Sequence, residues 1–281
     1  CWLGNTHVAC AFFRRTGNQG SFNVALFQPT GWRIQPDVIL PTTADDDPRI
    51  GHLLGTRLAG GTAPRVVLVG FPSDEGVHRN GGRVGAAGAP DEIRRMLFRL
   101  TPDAERFEES VDLLEHTLDL GNIALSDDVE RDQALLGEVL APHLATGSFV
   151  IVLGGGHETS FGHFQGYASR DARVGILNWD AHPDVRELQG GLGHAGSAFR
   201  QAILHSSGAC RQFVAAGLLP HVVARSHLEF LAAHGARFVW RRDLSPARID
   251  EIYGSLDGPS FVSFDIDAVD QAEAPGASSP S

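Results

Sequence analysis

The feature that most constrains the fold is the alternation of short apolar runs with helical patterns from Arg65 onward. The apolar runs, which we interpret as strands, are RVVLVGF, VDLLEHTLDLG, SFVIVLGGG, RVGILNW, QFVAAG, ARFVW and PSFVSFDID. Between them lie helical patterns such as APDEIRRMLFRL, VERDQALLGEVLAPHL and HVVARSHLEFLAAHG. This alternation predicts a three-layer α/β fold in which helices cover both faces of a mostly parallel sheet.

The domain organisation follows from a change in the residue pattern along the chain. Residues 1–63 are irregular because Gly, Pro and Asn interrupt every pattern, so we expect an irregular N-terminal segment followed by one α/β domain over residues 64–281. The chain has 281 residues, of which 42% are hydrophobic, so it can bury a full core.

Composition also narrows the function. No apolar run reaches the roughly 18 residues that span a bilayer, and Cys1, Cys10 and Cys210 show no CxxC spacing. We therefore expect a cytoplasmic protein with no membrane partner and no disulfide framework. The formal charge of −11 argues against nucleic-acid binding, because a surface that follows phosphates must be strongly basic.

The first candidate motif is FVIVLGGGHETS, in which three glycines follow a strand and His157 comes directly after them. In parallel α/β folds ligands bind outside the carboxyl ends of the strands, so this position is a candidate site. A glycine-rich turn also suits a phosphate loop or a plain tight connection. The phosphate-loop spacing, GxxxxGKS or GxxxxGKT, is absent.

Two further strand ends carry paired carboxylates. In NWDAHPDVR, the side chains of Asp180, His182 and Asp184 point to the same side of an extended chain. Each alone is more typical of a cap, a turn or a surface charge, but three ionisable groups on one face repel or desolvate each other unless a cation holds them. In SFDID, Asp265 and Asp267 repeat the pattern; two aspartates sharing a proton are the alternative there.

Together these strand ends offer four carboxylates, two imidazoles and no thiolate. This oxygen-rich set favours Mn²⁺ or a related ion over a cysteine-bound zinc. Six ligands are too many for one catalytic ion that keeps a position open for water. Two ions about 3.5–4 Å apart with bridging carboxylates would use all six.

In their order and separation, GGGHE, DAHPD and SFDID resemble the three metal motifs of the ureohydrolase family, which includes arginase, agmatinase and formimidoylglutamase. The resemblance covers roughly Arg65–Ser281 and implies an arginase-like fold, a homo-oligomer and two Mn²⁺ ions bridged by a hydroxide. It implies that one ion is bound by His157, Asp180, Asp184 and Asp265, and the other by Asp180, His182, Asp265 and Asp267. It also implies that Asp184 passes a proton to the leaving amine.

Within the family, GFPSDEGVHRNGGRVGAAGAPDEIRR, GGGHETSFGH and EAPGASSPS are most similar to formimidoylglutamases, whereas arginases and agmatinases usually show GGDHS at the first motif. The resemblance implies hydrolysis of N-formimino-L-glutamate to L-glutamate and formamide in histidine breakdown. The alternatives are a urea-releasing enzyme of the agmatinase, guanidinobutyrase or arginase type, and a non-catalytic member stabilised by metal.

Three further residues are candidates for substrate contact. Arg79 or Arg83, after the first strong strand, could bind a substrate carboxylate through a bidentate contact, although structural pairing fits equally well. His194 lies one place before the position at which the family often has a proton-shuttling histidine. Proteins of the family continue past the position of Ser281 with an acidic residue that faces the substrate, so we expect the C-terminal part of the domain to be missing.

Overall fold

The computed structural model describes residues 12–13, 33–34, 38–40, 42, 46–55 and 63–277. Most of the predicted irregular segment over residues 1–63 lies outside the described residues, as do Cys1, Cys10 and the last four residues of the chain. Among the helices of the described ranges, none is long and apolar enough to cross a membrane.

The strands form two hydrogen-bonded sheets. Their bounds are β1 (Phe12–Phe13), β2 (Arg33–Ile34), β3 (Val66–Phe71), β4 (Thr117–Ile123), β5 (Phe149–Gly154), β6 (Val174–Trp179), β7 (Cys210–Leu218), β8 (Arg237–Trp240) and β9 (Ser260–Phe264). One sheet has the order β2-β4-β3-β5 and the other β1-β9-β6-β7-β8. Every pair among β3 to β9 is parallel, and only the pairings of β1 and β2 are antiparallel.

Helices connect the parallel strands. Their bounds are α1 (Ile50–Leu53), α2 (Glu75–Arg79), α3 (Ala89–Leu97), α4 (Phe107–Glu115), α5 (Val129–Ala145), α6 (Thr159–Ala168), α7 (Ala198–Ile203), α8 (Arg225–Ala233) and α9 (Pro246–Gly254). Side chains begin two of them: Asp128 accepts from the Arg131 N–H at α5, and Ser245 accepts from the Arg248 N–H at α9.

One predicted strand is wrong in its first half. The run VDLLEHTLDLG is the end of α4 followed by β4. Phe107, Val111 and Leu114 recur at helical spacing in that region, so the apolar run belongs to two elements of different period.

Alternate residues of β6 pack on opposite faces, which creates the layers. Ile176 belongs to a core with Phe164 of α6 and Phe199 of α7, whereas Leu177 packs on the other side with Ile252 of α9. A strand buried on both faces is typical of a parallel sheet between helical layers. The predicted α/β class with a mostly parallel sheet is thus confirmed.

The strand register brings the carboxyl ends of β6 and β9 together. Trp179 pairs with Phe264, and the Asp265 N–H donates to the Trp179 carbonyl at 2.9 Å. The residues that follow each strand, Asp180 and Asp265, therefore lie side by side at one edge of the molecule.

Candidate metal centre

Six ionisable side chains converge at this edge, and we call them the carboxylate–imidazole cluster: His157, Asp180, His182, Asp184, Asp265 and Asp267. They form two groups of potential ligand atoms, each group within 4.8 Å: His157, Asp180, Asp184 and Asp265 in one, and Asp180, His182 and Asp267 in the other. Asp180 belongs to both groups. The cluster thus contains every residue that the sequence singled out as a metal ligand.

Backbone hydrogen bonds hold the aspartates of the cluster in place. Asp180 accepts from the His182 N–H at 2.6 Å, and Asp265 accepts from the Asp267 N–H at 3.0 Å. Asp267 in turn accepts from the Ala181 N–H at 3.0 Å, which joins the loop after β6 to the loop after β9. These bonds leave other carboxylate oxygens directed at the centre of the cluster.

Asp184 reaches the cluster through an unusual backbone conformation. Its φ angle is 45°, in the left-handed region that few residues other than Gly, Asn and Asp adopt readily. Its carbonyl accepts from the Phe199 N–H at 3.1 Å, at the start of α7. Its carboxylate lies 2.8 Å from His157 Nδ1.

The ring of His157 is oriented by its other nitrogen. Nε2 lies 2.8 Å from Ser263 Oγ, and Phe199 packs edge-on at 5.2 Å between ring centroids. Nδ1 therefore faces Asp180, Asp184 and Asp265 at 3.3, 2.8 and 3.2 Å, yet this buried atom has no hydrogen bond of proper geometry. A histidine fixed through one ring nitrogen and directed at carboxylates through the other has the arrangement of a metal ligand.

Burial and mutual charge perturb the acidity of the cluster. Burial works against the charged form of Asp180, but hydrogen bonds with His157 and His182 lower its pKa to about 2. Burial also works against protonated His182, but Asp180 and Asp267 raise its pKa to about 11. For Asp184 and Asp267, burial and the charge of Asp180 raise the pKa. Without a cation His182 holds a proton and burial works against the ionisation of Asp184 and Asp267, so the donor set fits a divalent ion that would take the place of protons.

A small cavity of about 90 Å³ opens beside the cluster. It is lined by Asn80, His157, His182, Asp184, Arg186, Ala195, Gly196, Asp265 and Asp267. Arg186, whose Nη1 donates to Asn80 Oδ1 at 3.3 Å, brings a positive charge to the mouth of this acidic site.

Arg186 was not among the predicted site residues, although a sequence signal existed. It continues the i, i+2 spacing of Asp180, His182 and Asp184 by one more step. His227 of α8 lies within reach of the same charges without lining the cavity, and no local pattern in the sequence indicates this. Its pKa is lowered by partial burial and by the charge of Arg186, whereas Asp184 has the opposite effect.

The structure gives no support to the three predicted substrate contacts, because none of these side chains lines the cavity. Arg79 donates to Glu130 Oε1 and to the Gly193 carbonyl, and Arg83 donates to the carbonyls of Gly276 and Ala277. The His194 side chain is buried, with Nε2 2.9 Å from the Glu187 carbonyl oxygen.

Comparison with known proteins gives a consistent class. The description of the matching family model is "Arginase family", and it covers residues 64–281. A formimidoylglutamase of Chromobacterium violaceum is 31% identical over 229 residues, covering 78% of this chain and 71% of its own. One of Rhodococcus jostii is 34% identical over 247 residues, covering 82% and 73%.

Solved structures agree. Trypanosoma cruzi formiminoglutamase with an Mn²⁺ pair superposes with a TM-score of 0.71 at 28% identity, covering 84% of this chain and 80% of that chain. The formimidoylglutamase of Bacillus subtilis, at 21% identity and a TM-score of 0.73, shares the fold over 86% of this chain and 77% of that one. The fold and the cluster define a parallel α/β protein with a two-group metal-binding arrangement. The chain belongs to the arginase family.

Proposed function

We propose that this protein is a binuclear manganese hydrolase of linear amidines, and that its substrate is N-formimino-L-glutamate, which it converts to L-glutamate and formamide. The observation that carries the proposal is the carboxylate–imidazole cluster with the guanidinium of Arg186 at its mouth. Relatives named formimidoylglutamase, at 31% and 34% identity, support the choice of substrate.

We assign the six cluster residues to two Mn²⁺ ions. One ion would be bound by His157, Asp180, Asp184 and Asp265, and the other by Asp180, His182, Asp265 and Asp267. The four donors of the first ion lie close enough together to bind one ion. Three of the four donors of the second, Asp180, His182 and Asp267, also lie close enough together to bind one. When bound, such a metal pair provides Lewis acidity and a water-derived nucleophile at neutral pH.

The proton transfer to the leaving nitrogen is assigned to a side chain of the protein. Asp184 sits at the rim of the cluster and lines the cavity, so its carboxylate can accept a proton and deliver it to the leaving nitrogen. Burial and the charge of Asp180 raise the pKa of Asp184 in the absence of a metal ion.

Arg186 distinguishes between substrates. N-formimino-L-glutamate carries two carboxylates, and an exposed guanidinium can bind one of them in bidentate fashion. Agmatine ends in a cation, which the charge of Arg186 would repel. Asn80 accepts from Arg186 and holds the guanidinium beside the cavity.

A direct assay tests this proposal. The Mn²⁺-loaded protein is given N-formimino-L-glutamate, arginine, agmatine or 4-guanidinobutyrate, and release of formamide or urea is measured. We expect formamide from the first substrate, a KM about tenfold higher or more in Arg186→Leu, and no such change in Arg248→Leu on the distant helix α9. Urea release at comparable efficiency would contradict the substrate assignment.

The wider setting is also part of the proposal. We assign residues 64–281 to one arginase-like metallohydrolase domain in a homo-oligomeric, cytoplasmic enzyme of histidine breakdown without nucleic-acid or membrane partners. The match to the family model over residues 64–281 supports the domain, and the formal charge of −11 supports the absence of nucleic acid. Light scattering coupled to size-exclusion chromatography tests the oligomer.

A further inference from the structure

One ion pair joins three distant segments of the chain next to the candidate metal centre. Arg79 ends α2, Glu130 lies in the first turn of α5, and Gly193 lies in the loop between β6 and α7. Glu130 Oε1 accepts from Arg79 Nη1 at 2.8 Å and from the Gly193 N–H at 2.9 Å. Arg79 Nη1 also donates to the Gly193 carbonyl at 3.0 Å. A single ion pair therefore binds both polar backbone groups of Gly193.

This pair differs from the ordinary surface pairs of the molecule. The side chains of Arg79 and Glu130 are 17% and 40% exposed, whereas those of Arg225 and Glu229, paired one helical turn apart, are 92% and 65% exposed. Exposed pairs within one helix contribute little, because solvent screens them and the side chains lose entropy. A less exposed pair that binds the backbone of a third segment constrains that segment instead.

The segment in question begins with an exposed turn. Gln189 and Leu192 exchange backbone hydrogen bonds of 3.1 and 3.0 Å, and Gly190 and Gly191 between them adopt left-handed φ angles of 59° and 84°. Gly193 is the first buried residue after this turn. The ion pair therefore fixes the chain where it leaves solvent.

The residues directly after Gly193 form one wall of the cavity. Ala195 and Gly196 line it, and the Gly196 carbonyl accepts from the Arg186 N–H at 2.8 Å. A displacement of Gly193 would move this wall together with the backbone of Arg186.

Arg79 is also the chain neighbour of a second residue that lines the cavity. The next residue, Asn80, lines the cavity and accepts from Arg186 Nη1. A Cβ at Gly196 would lie 3.1 Å from Asn80 Nδ2, so Asn80 lies next to this wall. The side chain of Arg79 thus joins the segment that carries Asn80 to the Gly193–Gly196 wall beside it.

We propose that the Arg79–Glu130 ion pair is a positioning device that holds Gly193, and through it the Arg186 side of the cavity, in the geometry that binds substrate. Its effect on substrate binding rests on the function proposed above, whereas its effect on the backbone does not. Neither Arg79 nor Glu130 belongs to the metal-binding cluster, so the pair should influence substrate affinity without changing metal content.

Hydrogen exchange followed by mass spectrometry tests the mechanical part. In Glu130→Ala we expect the amides of residues 187–196 to exchange about tenfold faster or more, since a held segment is released to local opening. Glu130→Gln, which keeps an acceptor for the Gly193 N–H, should lie between wild type and Glu130→Ala and serves if the alanine variant does not fold. Glu187→Ala, which removes an exposed partner of Arg200 on the same turn, is the matched control.

Kinetics and metal analysis of the same variants test the functional part. We expect Glu130→Ala to bind two Mn²⁺ per chain like wild type, with a KM about tenfold higher and a kcat within about threefold, because substrate positioning is lost while the metal ligands are intact. Unchanged exchange in residues 187–196 would overturn the positioning device. Faster exchange with an unchanged KM would overturn its link to substrate binding. A wild-type protein inactive on N-formimino-L-glutamate would reject the function, yet the exchange experiment would still decide the mechanical part.

Discussion

Two buried groups of charged side chains in this molecule balance their carboxylates in opposite ways. In the first, which we call the Arg94 network, the fully buried guanidinium of Arg94 binds both oxygens of Asp119 at 2.9 and 3.0 Å. It also donates to Asn122 Oδ1 at 2.6 Å and to the Gly121 carbonyl at 2.9 Å. The network therefore contains its own cation.

The carboxylate–imidazole cluster has no cation of that kind within it. Its four carboxylates face two imidazoles, and Arg186 stands at the mouth of the cavity rather than between the carboxylates. Because isolated buried charge is costly, this cluster must hold protons or an added metal ion. The comparison teaches that a buried network completed by the chain supports the fold, whereas one left incomplete is available for binding and chemistry.

The largest effect should come from breaking the Arg94 network. Arg94→Met leaves the Asp119 carboxylate buried without a cation, with only the Gly121 N–H donating to it at 2.8 Å, and we expect a loss of about 3–5 kcal/mol in the free energy of unfolding. The double variant Arg94→Met with Asp119→Leu should recover most of it, since no buried charge remains. Urea unfolding measures both. A double variant as unstable as the single one would show that packing, not charge, dominates there.

The cluster should respond instead to metal. Saturation with Mn²⁺ at about 100 times the dissociation constant should add about 2.7 kcal/mol of stability. Chelation should therefore lower Tm in wild type but much less in Asp180→Asn, which lacks the carboxylate shared by both ligand groups. Thermal unfolding with and without Mn²⁺ measures the difference. Equal responses of the two proteins would mean that the ion binds elsewhere.

The loop that carries His157 should tolerate no added side chain. A Cβ at Gly155 would lie 1.9 Å from the Ser73 carbonyl oxygen, so we expect Gly155→Ala to cost about 1–3 kcal/mol and to weaken Mn²⁺ binding. The matched control is Gly254→Ala in α9, where an added Cβ would meet no atom within 4 Å other than its chain neighbours and its own helix backbone, and a small gain of about 0.5–1 kcal/mol is expected. Denaturant unfolding and Mn²⁺ titration check the pair. Equal effects would refute the steric argument.

A third buried group, His163, has neither its own counter-charge nor a place among the metal ligands. Burial lowers its pKa to about 3, below the unfolded value of about 6.5, so the unfolded chain binds the extra proton. Stability is then complete above pH 6.5 and falls as the pH decreases toward 3. Between pH 7 and pH 5 we expect a loss of about 1–2 kcal/mol.

The loss attributable to His163 should disappear in His163→Phe, which keeps the stacking against Phe261. His116→Phe, at an exposed position, is the control and should keep the wild-type pH dependence. Unfolding at pH 7 and pH 5 measures all three proteins. An unchanged slope in His163→Phe would assign the acid sensitivity to other groups, such as His143, whose pKa burial lowers to about 4.

Much of the site was predictable because its signals are local. Spacing of two residues at a strand end indicated a common side for Asp180, His182 and Asp184. The residues were predicted correctly, although β6 ends at Trp179 and Asp184 reaches the cluster through a left-handed backbone rather than an extended one. The parallel sheet then followed from the alternation of patterns. These inferences need no knowledge of which segments touch.

The features that could not be predicted depend on contacts between residues far apart in sequence. For Arg79, substrate binding and structural pairing fitted the sequence equally well. Its pairing with Glu75, four residues earlier, is local, but its other partners lie 51 and 114 residues away, and no local pattern reveals those. The helix α4 was mistaken for strand because its apolar residues run directly into β4. Tertiary packing determines these partners and this element boundary, and it cannot be predicted before the fold is known.

The left-handed backbone at Asp184 makes this position unusually intolerant of change. Two unrelated demands meet there: a short carboxylate to face His157, and a φ angle of 45° that β-branched and bulky residues resist. Asparagine can adopt this backbone conformation but carries no charge, and glycine has no side chain at all. Glutamate carries the charge, but its longer side chain would place the carboxylate at a different distance from His157. No other residue type meets both demands. We therefore expect evolution to have no substitute for aspartate at this position that keeps the same geometry.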